Sequence, residues 1–221
     1  MSLLLPIIAV ILGFAIALFL KASSNTVKLL LSFSGAFLLS ITVFEFLPAV
    51  YQHTSSNVGV FIMLGILLQI MLEFLSKGAE HGHLHPLENH NQFPWALFIG
   101  LCAHSLLEGF PIHENHHLLF AVVIHKIPIA VIISSFLLHS NLGKTKSALF
   151  LLFFALMTPL GSFLQAHTYF FNSLEIYINA LVIGIFLHIS TTILFEASKD
   201  HRFNSSKMLS VILGIVLAYF L

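Results

Sequence analysis

The stretch His104-Ser105-Leu106-Leu107-Glu108-Gly109 holds a histidine and a glutamate four residues apart. On a helix, residues at i and i+4 share a face. One neutral imidazole nitrogen and one carboxylate on consecutive turns can clamp a single divalent ion. Without a metal, the same pair would be an internal His–Glu hydrogen bond, and the spacing leaves both readings open. A second group, His125-Lys126-Ile127-Pro128, sets another imidazole beside an ammonium. Pro128 lacks a backbone donor and can leave a carbonyl turned toward a cavity. There are 14 His against 9 Asp and Glu. Imidazole suits zinc, copper, iron and nickel, so this excess points to metal chemistry.

The elements that must position these groups follow from composition. The chain has 221 residues, 58% hydrophobic and 8% charged. A soluble domain carries about 25% charged residues. With 23 Phe and so little charge, a water-facing surface cannot be covered, and the bilayer must be the solvent. The net charge of zero gives no reason to expect a nucleic-acid partner. The single cysteine, Cys102, cannot form an internal disulfide.

A helix needs roughly 20 apolar residues to cross the hydrocarbon. Eight runs qualify, at about 3–20, 27–50, 58–76, 93–112, 117–139, 146–167, 174–196 and 207–221. The first reads as a span and not as a cleaved leader, because no positive charge precedes it and no small-residue cleavage site follows. All connections but 77–92 are short, so the expectation is one all-α polytopic bundle over 1–221.

Basic residues set the orientation. Lys21, Lys28, Lys77, Lys144, Lys146, Lys199, Arg202 and Lys207 all flank or lie in the first, third, fifth and seventh connections. Lys126 lies within a span, and the other connections hold no Lys or Arg. By the positive-inside rule the basic side is cytoplasmic and both termini face out. The protein is then multi-pass, in a plasma membrane or a bacterial inner membrane.

With that topology, His104 and His125 both fall near mid-bilayer. An ionisable group there costs at least about 2.5–3.5 kcal/mol on insertion scales, which makes it a functional candidate. Lys126 needs a partner, and Glu108 is nearest in depth; a purely structural Lys–Glu pair is the alternative. Glu45 falls in the outer third of the second span and His188 near the middle of the seventh. Glu73 reads as interfacial. Thr158-Pro159-Leu160-Gly161-Ser162 is expected to break the sixth span. Two connections are rich in His: His81, His83, His85 and His90 inside, and His113, Glu114, His116 and His117 outside. Alternate-position His cannot line one helical face, but a flexible segment of this kind binds metal weakly.

Together these residues resemble the ZIP (Zrt-, Irt-like protein) metal transporters. His-Ser-x-x-Glu-Gly in the fourth span and His-Lys in the fifth are closest to the branch with His-Lys where other members carry His-Glu. Also similar are Glu45-Phe46-Leu47-Pro48, Thr158-Pro159-Leu160-Gly161 and the His-rich inner loop. The resemblance implies inverted three-helix repeats around a central helix pair, in a fold that is often dimeric, so a homodimer is one assembly to expect. It implies a transport site of His104, Glu108 and His125. Lys126 stands where binuclear members place a carboxylate, so it would substitute for a second cation. Ile129-Ala130 stands where many members add a ligand.

The function expected is import of a divalent transition metal, zinc foremost; mixed N/O ligands also suit Fe²⁺, Mn²⁺, Co²⁺ and Cd²⁺, and affinity alone does not pick among them. The partners are the lipid bilayer and the ion, and no catalytic cofactor is expected. An intramembrane metalloenzyme is the alternative. A zinc protease would want His-Glu-x-x-His, which is absent, and the inner His lack the helical spacing of a di-iron oxidase.

Overall fold

The computed structural model describes residues 3–20, 24–52, 57–76, 93–113, 115–140, 142–196 and 205–221. Its main elements are α1 (Leu5–Ala15), α2 (Ser24–Ile41), α3 (Val58–Ser76) and α4 (Trp95–Gly109). They continue as α5 (His116–His139), α6 (Lys144–His167), α7 (Glu175–Glu196) and α8 (Ser205–Tyr219). There is no strand among the described residues. Five helices are long and apolar enough to cross a membrane, and three shorter apolar helices, Leu5–Phe19, Trp95–Gly109 and Ser205–Tyr219, accompany them. The chain is an all-helical bundle of the polytopic membrane type.

Local signals explain several boundaries. Pro6 sits at the start of α1, where a missing donor costs nothing. Asn115 caps α5, its Oδ1 accepting from Leu118 N at 2.8 Å. Gly143, with φ of 81°, makes the entry to α6 that a side chain would strain.

The burial pattern is that of a protein in lipid. Ile8, Met63, Phe74, Phe153 and Phe195 are exposed, whereas His104, Ser105, Glu108, His125, Lys126 and Thr158 are buried. Apolar side chains toward the solvent and polar ones inside are stable only where the solvent is hydrocarbon.

The most extensive helix contacts are α3 on α7, α8 on α2, α1 on α5 and α4 on α6, and these pairs are joined through α2–α5, α2–α7 and α3–α4. Glycines permit the closest crossings. A methyl group on Gly65 would collide with the carbonyl of Leu181, and one on Gly161 with the carbonyl of Leu106. In lipid, association depends on such close backbone approach.

Two irregularities differ from expectation. The sixth span is not broken: α6 runs through Pro159 without interruption. Its Pro-Leu-Gly run is instead the surface on which α4 rests, since Gly109 meets Thr158 and Gly161 meets Leu106. The second span is irregular instead, as is the end of the first, where a π-turn covers Ile16–Leu20. A π-turn over Thr42–Phe46 joins α2 to a short turn, Leu47–Tyr51, with Leu47 N bonded to Thr42 O. Pro48 gives Phe44 no backbone donor, and its ring would crowd that carbonyl, so the wider turn moves it aside. Glu45 sits in this turn.

Candidate metal centre

The centre is built where α4, α5 and α6 meet. Leu97, Gly100, Leu101, His104, Ser105 and Glu108 form the buried side of α4, so the i, i+4 pair faces inward. His104 is 3% exposed and Glu108 1%. His104 Nε2 lies 3.4 Å from Glu108 Oε2. From α5, Lys126 Nζ donates to the other carboxylate oxygen, Oε1, and to Ser105 Oγ at 2.9 Å. The same ammonium stands 4.6 Å from the centre of the Phe154 ring. It therefore has an anion, a hydroxyl and an aromatic face as partners, which is how an ammonium becomes tolerable at 2% exposure. The Lys–Glu pairing matches the one expected from depth.

α6 supplies Thr158. Its Oγ1 lies 2.8 Å from Glu108 Oε1 and 3.0 Å from the Ser105 carbonyl oxygen, so one hydroxyl proton is shared between two acceptors. Ser105 Oγ is 3.0 Å from Thr158 Oγ1 and donates to Phe154 O at 3.2 Å. Glu108 Oε1 is thus held by Lys126 and Thr158, while Oε2 faces His104.

His125 is 2% exposed, and its ring stands 6.5 Å from that of His104, centre to centre, at 87°. Among the described residues, no three His, Cys, Asp or Glu side chains converge on one point. The close pair is His104 with Glu108, and His125 is its neighbour across the helix interface.

Two further His–carboxylate pairs stand apart from this centre. Glu45 meets His117 Nδ1 at 2.8 Å, joining the π-turn to the first turn of α5, and both side chains are half-buried. His113 and His116 are exposed nearby. His188 Nε2 meets Glu73 Oε2 at 2.7 Å, joining α7 to α3. Glu73 is therefore more than an interfacial acid. His81, His83, His85, His90 and Glu114 lie outside the described residues.

Sequence reasoning missed Ser105 and Thr158 as members of the centre. The signal for Ser105 was its position between His104 and Glu108. Thr158 was noticed only as part of a proline-glycine run.

Ionisable groups buried within an apolar-faced helical bundle define a multi-pass membrane protein. The chain belongs to the ZIP zinc transporter family, whose sequence model matches residues 76–221. That match takes in His104, Glu108, His125 and Lys126, and membership makes this a metal-ion transporter of the membrane. No curated protein matches the chain.

Proposed function

We propose that the chain imports a divalent transition metal, zinc foremost, through one site formed by His104, Glu108 and His125. The observation that carries this is the 3.4 Å between His104 Nε2 and Glu108 Oε2. Zinc bonds of about 2.0–2.2 Å in a tetrahedron place adjacent ligand atoms roughly 3.3–3.5 Å apart. The pair is thus already spaced as two ligands of one ion, with His125, whose ring centre is 6.5 Å from that of His104, as the third in this reading.

Lys126 makes the site mononuclear in this reading. It holds one oxygen of Glu108 and leaves the other for the ion, so the carboxylate bridges an ammonium and a metal where it could have bridged two metals. Glu45 and His117, with His113, His116 and Glu114, gather the ion outside. His188 and Glu73 receive it beyond the centre, and the inner His81, His83, His85 and His90 take it up weakly. A rearrangement of the bundle exposes the site to one side and then the other. The whole of 1–221 acts as one eight-span unit with both termini outside, arranged as inverted repeats and assembled as a homodimer.

The test is zinc uptake by vesicles reconstituted with the purified chain, with Fe²⁺, Mn²⁺, Co²⁺ and Cd²⁺ as competitors. Zinc should enter, and His104→Ala and Glu108→Ala should abolish uptake. Undiminished uptake by Glu108→Ala would remove the site on which this reading rests.

A further inference from the structure

Gln69 is an uncharged amide with no exposure at all, and neither its Oε1 nor its Nε2 has a hydrogen-bond partner among the described residues. Leaving both ends of an amide unpaired in an apolar interior is costly, so native structures seldom do it without a functional reason. His104 Nδ1 is likewise buried and makes no hydrogen bond among the described residues. The two orphans belong to helices that touch.

The register places them at one depth. The C-terminal end of α3 meets the N-terminal half of α4, and the two run in opposite directions. The Leu72 carbonyl lies 3.1 Å from where a Cβ on Gly100 would stand, and Ser76 Cβ 3.3 Å from it. From that contact Gln69 is about 4.5 Å along α3 and His104 about 6 Å along α4 in the same direction, at 1.5 Å per residue. Both are on the buried sides of their helices, Gln69 in the row Ile62, Gly65, Gln69, Leu72, Ser76.

We infer that Gln69 is a positioning residue for His104, its amide oxygen accepting the Nδ1–H proton when Nε2 binds the ion. This rests on the metal-site reading above. An imidazole that gives one nitrogen to a metal must carry its proton on the other, and a partner for that N–H fixes the ring and strengthens the ligand. His104 points Nε2 at Glu108, so Nδ1 is the atom that needs an acceptor. Gln69 and His104 lie on either side of the α3–α4 contact, so the bond ties the affinity of the site to how those two helices are seated.

The test is equilibrium zinc titration of the purified full chain in detergent, with thermal unfolding as a second readout. Gln69→Met should weaken zinc binding by about tenfold or more. It should unfold no earlier than the unsubstituted chain, because it removes an unpaired polar group. Gln69→Glu, which keeps an acceptor, should restore binding. In a His104→Ala background, Gln69→Met should add nothing to the loss. The inference is overturned if Gln69→Met binds zinc normally while His104→Ala does not, or if Gln69→Glu fails to restore binding. Normal binding by His104→Ala would instead show that the metal-site reading itself is wrong.

Discussion

Lys126 and Thr158 hold one oxygen of Glu108 while His104 faces the other, with Nε2 at 3.4 Å from Oε2. This division of a single carboxylate lets a buried ammonium and an imidazole share one acid.

If Lys126 stands for a second cation, replacing it with an acid should create a second metal position. Lys126→Asp is expected to raise bound zinc from about one to about two per chain, since two carboxylates then face the His pair. Some uptake should persist, because the proposed ligands remain. Metal content of the purified variant measures this. A content unchanged at one ion would refute the charge-substitution idea.

Thr158→Val keeps the shape of the side chain and removes the hydroxyl that lies 2.8 Å from Glu108 Oε1. A hydrogen bond to a charged group contributes about 1.5–3 kcal/mol. The variant should unfold at lower temperature, and Thr158→Ser should recover most of the loss. Unfolding in detergent, followed by circular dichroism, reads both.

Gly161→Ala places a methyl against the backbone carbonyl of Leu106, which cannot rotate away. The overpacking should cost about 1–3 kcal/mol and should loosen the α4–α6 crossing that carries Glu108 and Thr158. Gly59→Ala is the control, because the nearest atom to its added methyl is 3.7 Å away. It should leave stability unchanged or raise it. Equal losses in the two variants would mean that the close crossing is not what holds α4 to α6.

The direction of the proposed transport depends on orientation. In a Cys102→Ser background, a cysteine placed within 169–173 should react with an impermeant thiol reagent from outside. One placed within 81–90 should react only from the cytoplasmic side. The opposite labelling would reverse the topology, and import would become export.

Much of this was legible in the sequence because the information is local. A run of apolar residues long enough to cross the bilayer must be helical, since no other fold of one segment satisfies its own backbone in lipid. The expected span 58–76 is α3, Val58–Ser76, and the expected 117–139 is α5, His116–His139. The His104–Glu108 pair needs only the pitch of one helix. Depth along two spans was enough to match Lys126 with Glu108.

What the sequence could not determine is which helix faces meet, because that depends on contacts between residues far apart in the chain. Thr158 reaches Glu108 only because glycines at 109 and 161 let α4 and α6 cross at backbone distance. Nor does hydropathy distinguish a proline that breaks a helix from one carried inside it. Pro159 is absorbed within α6, whereas Pro48 follows a π-turn that re-aims Glu45. Glu73 and His188 are 115 residues apart and meet at 2.7 Å. Gln69 is an unremarkable polar residue in an apolar run until the α3–α4 register sets it level with His104. The sequence by itself determined that the chain is a bundle of apolar helices and which polar groups they carry. The tertiary structure decided how those groups are paired, because in lipid the order of packing rests on close backbone contact and on satisfying each buried polar atom.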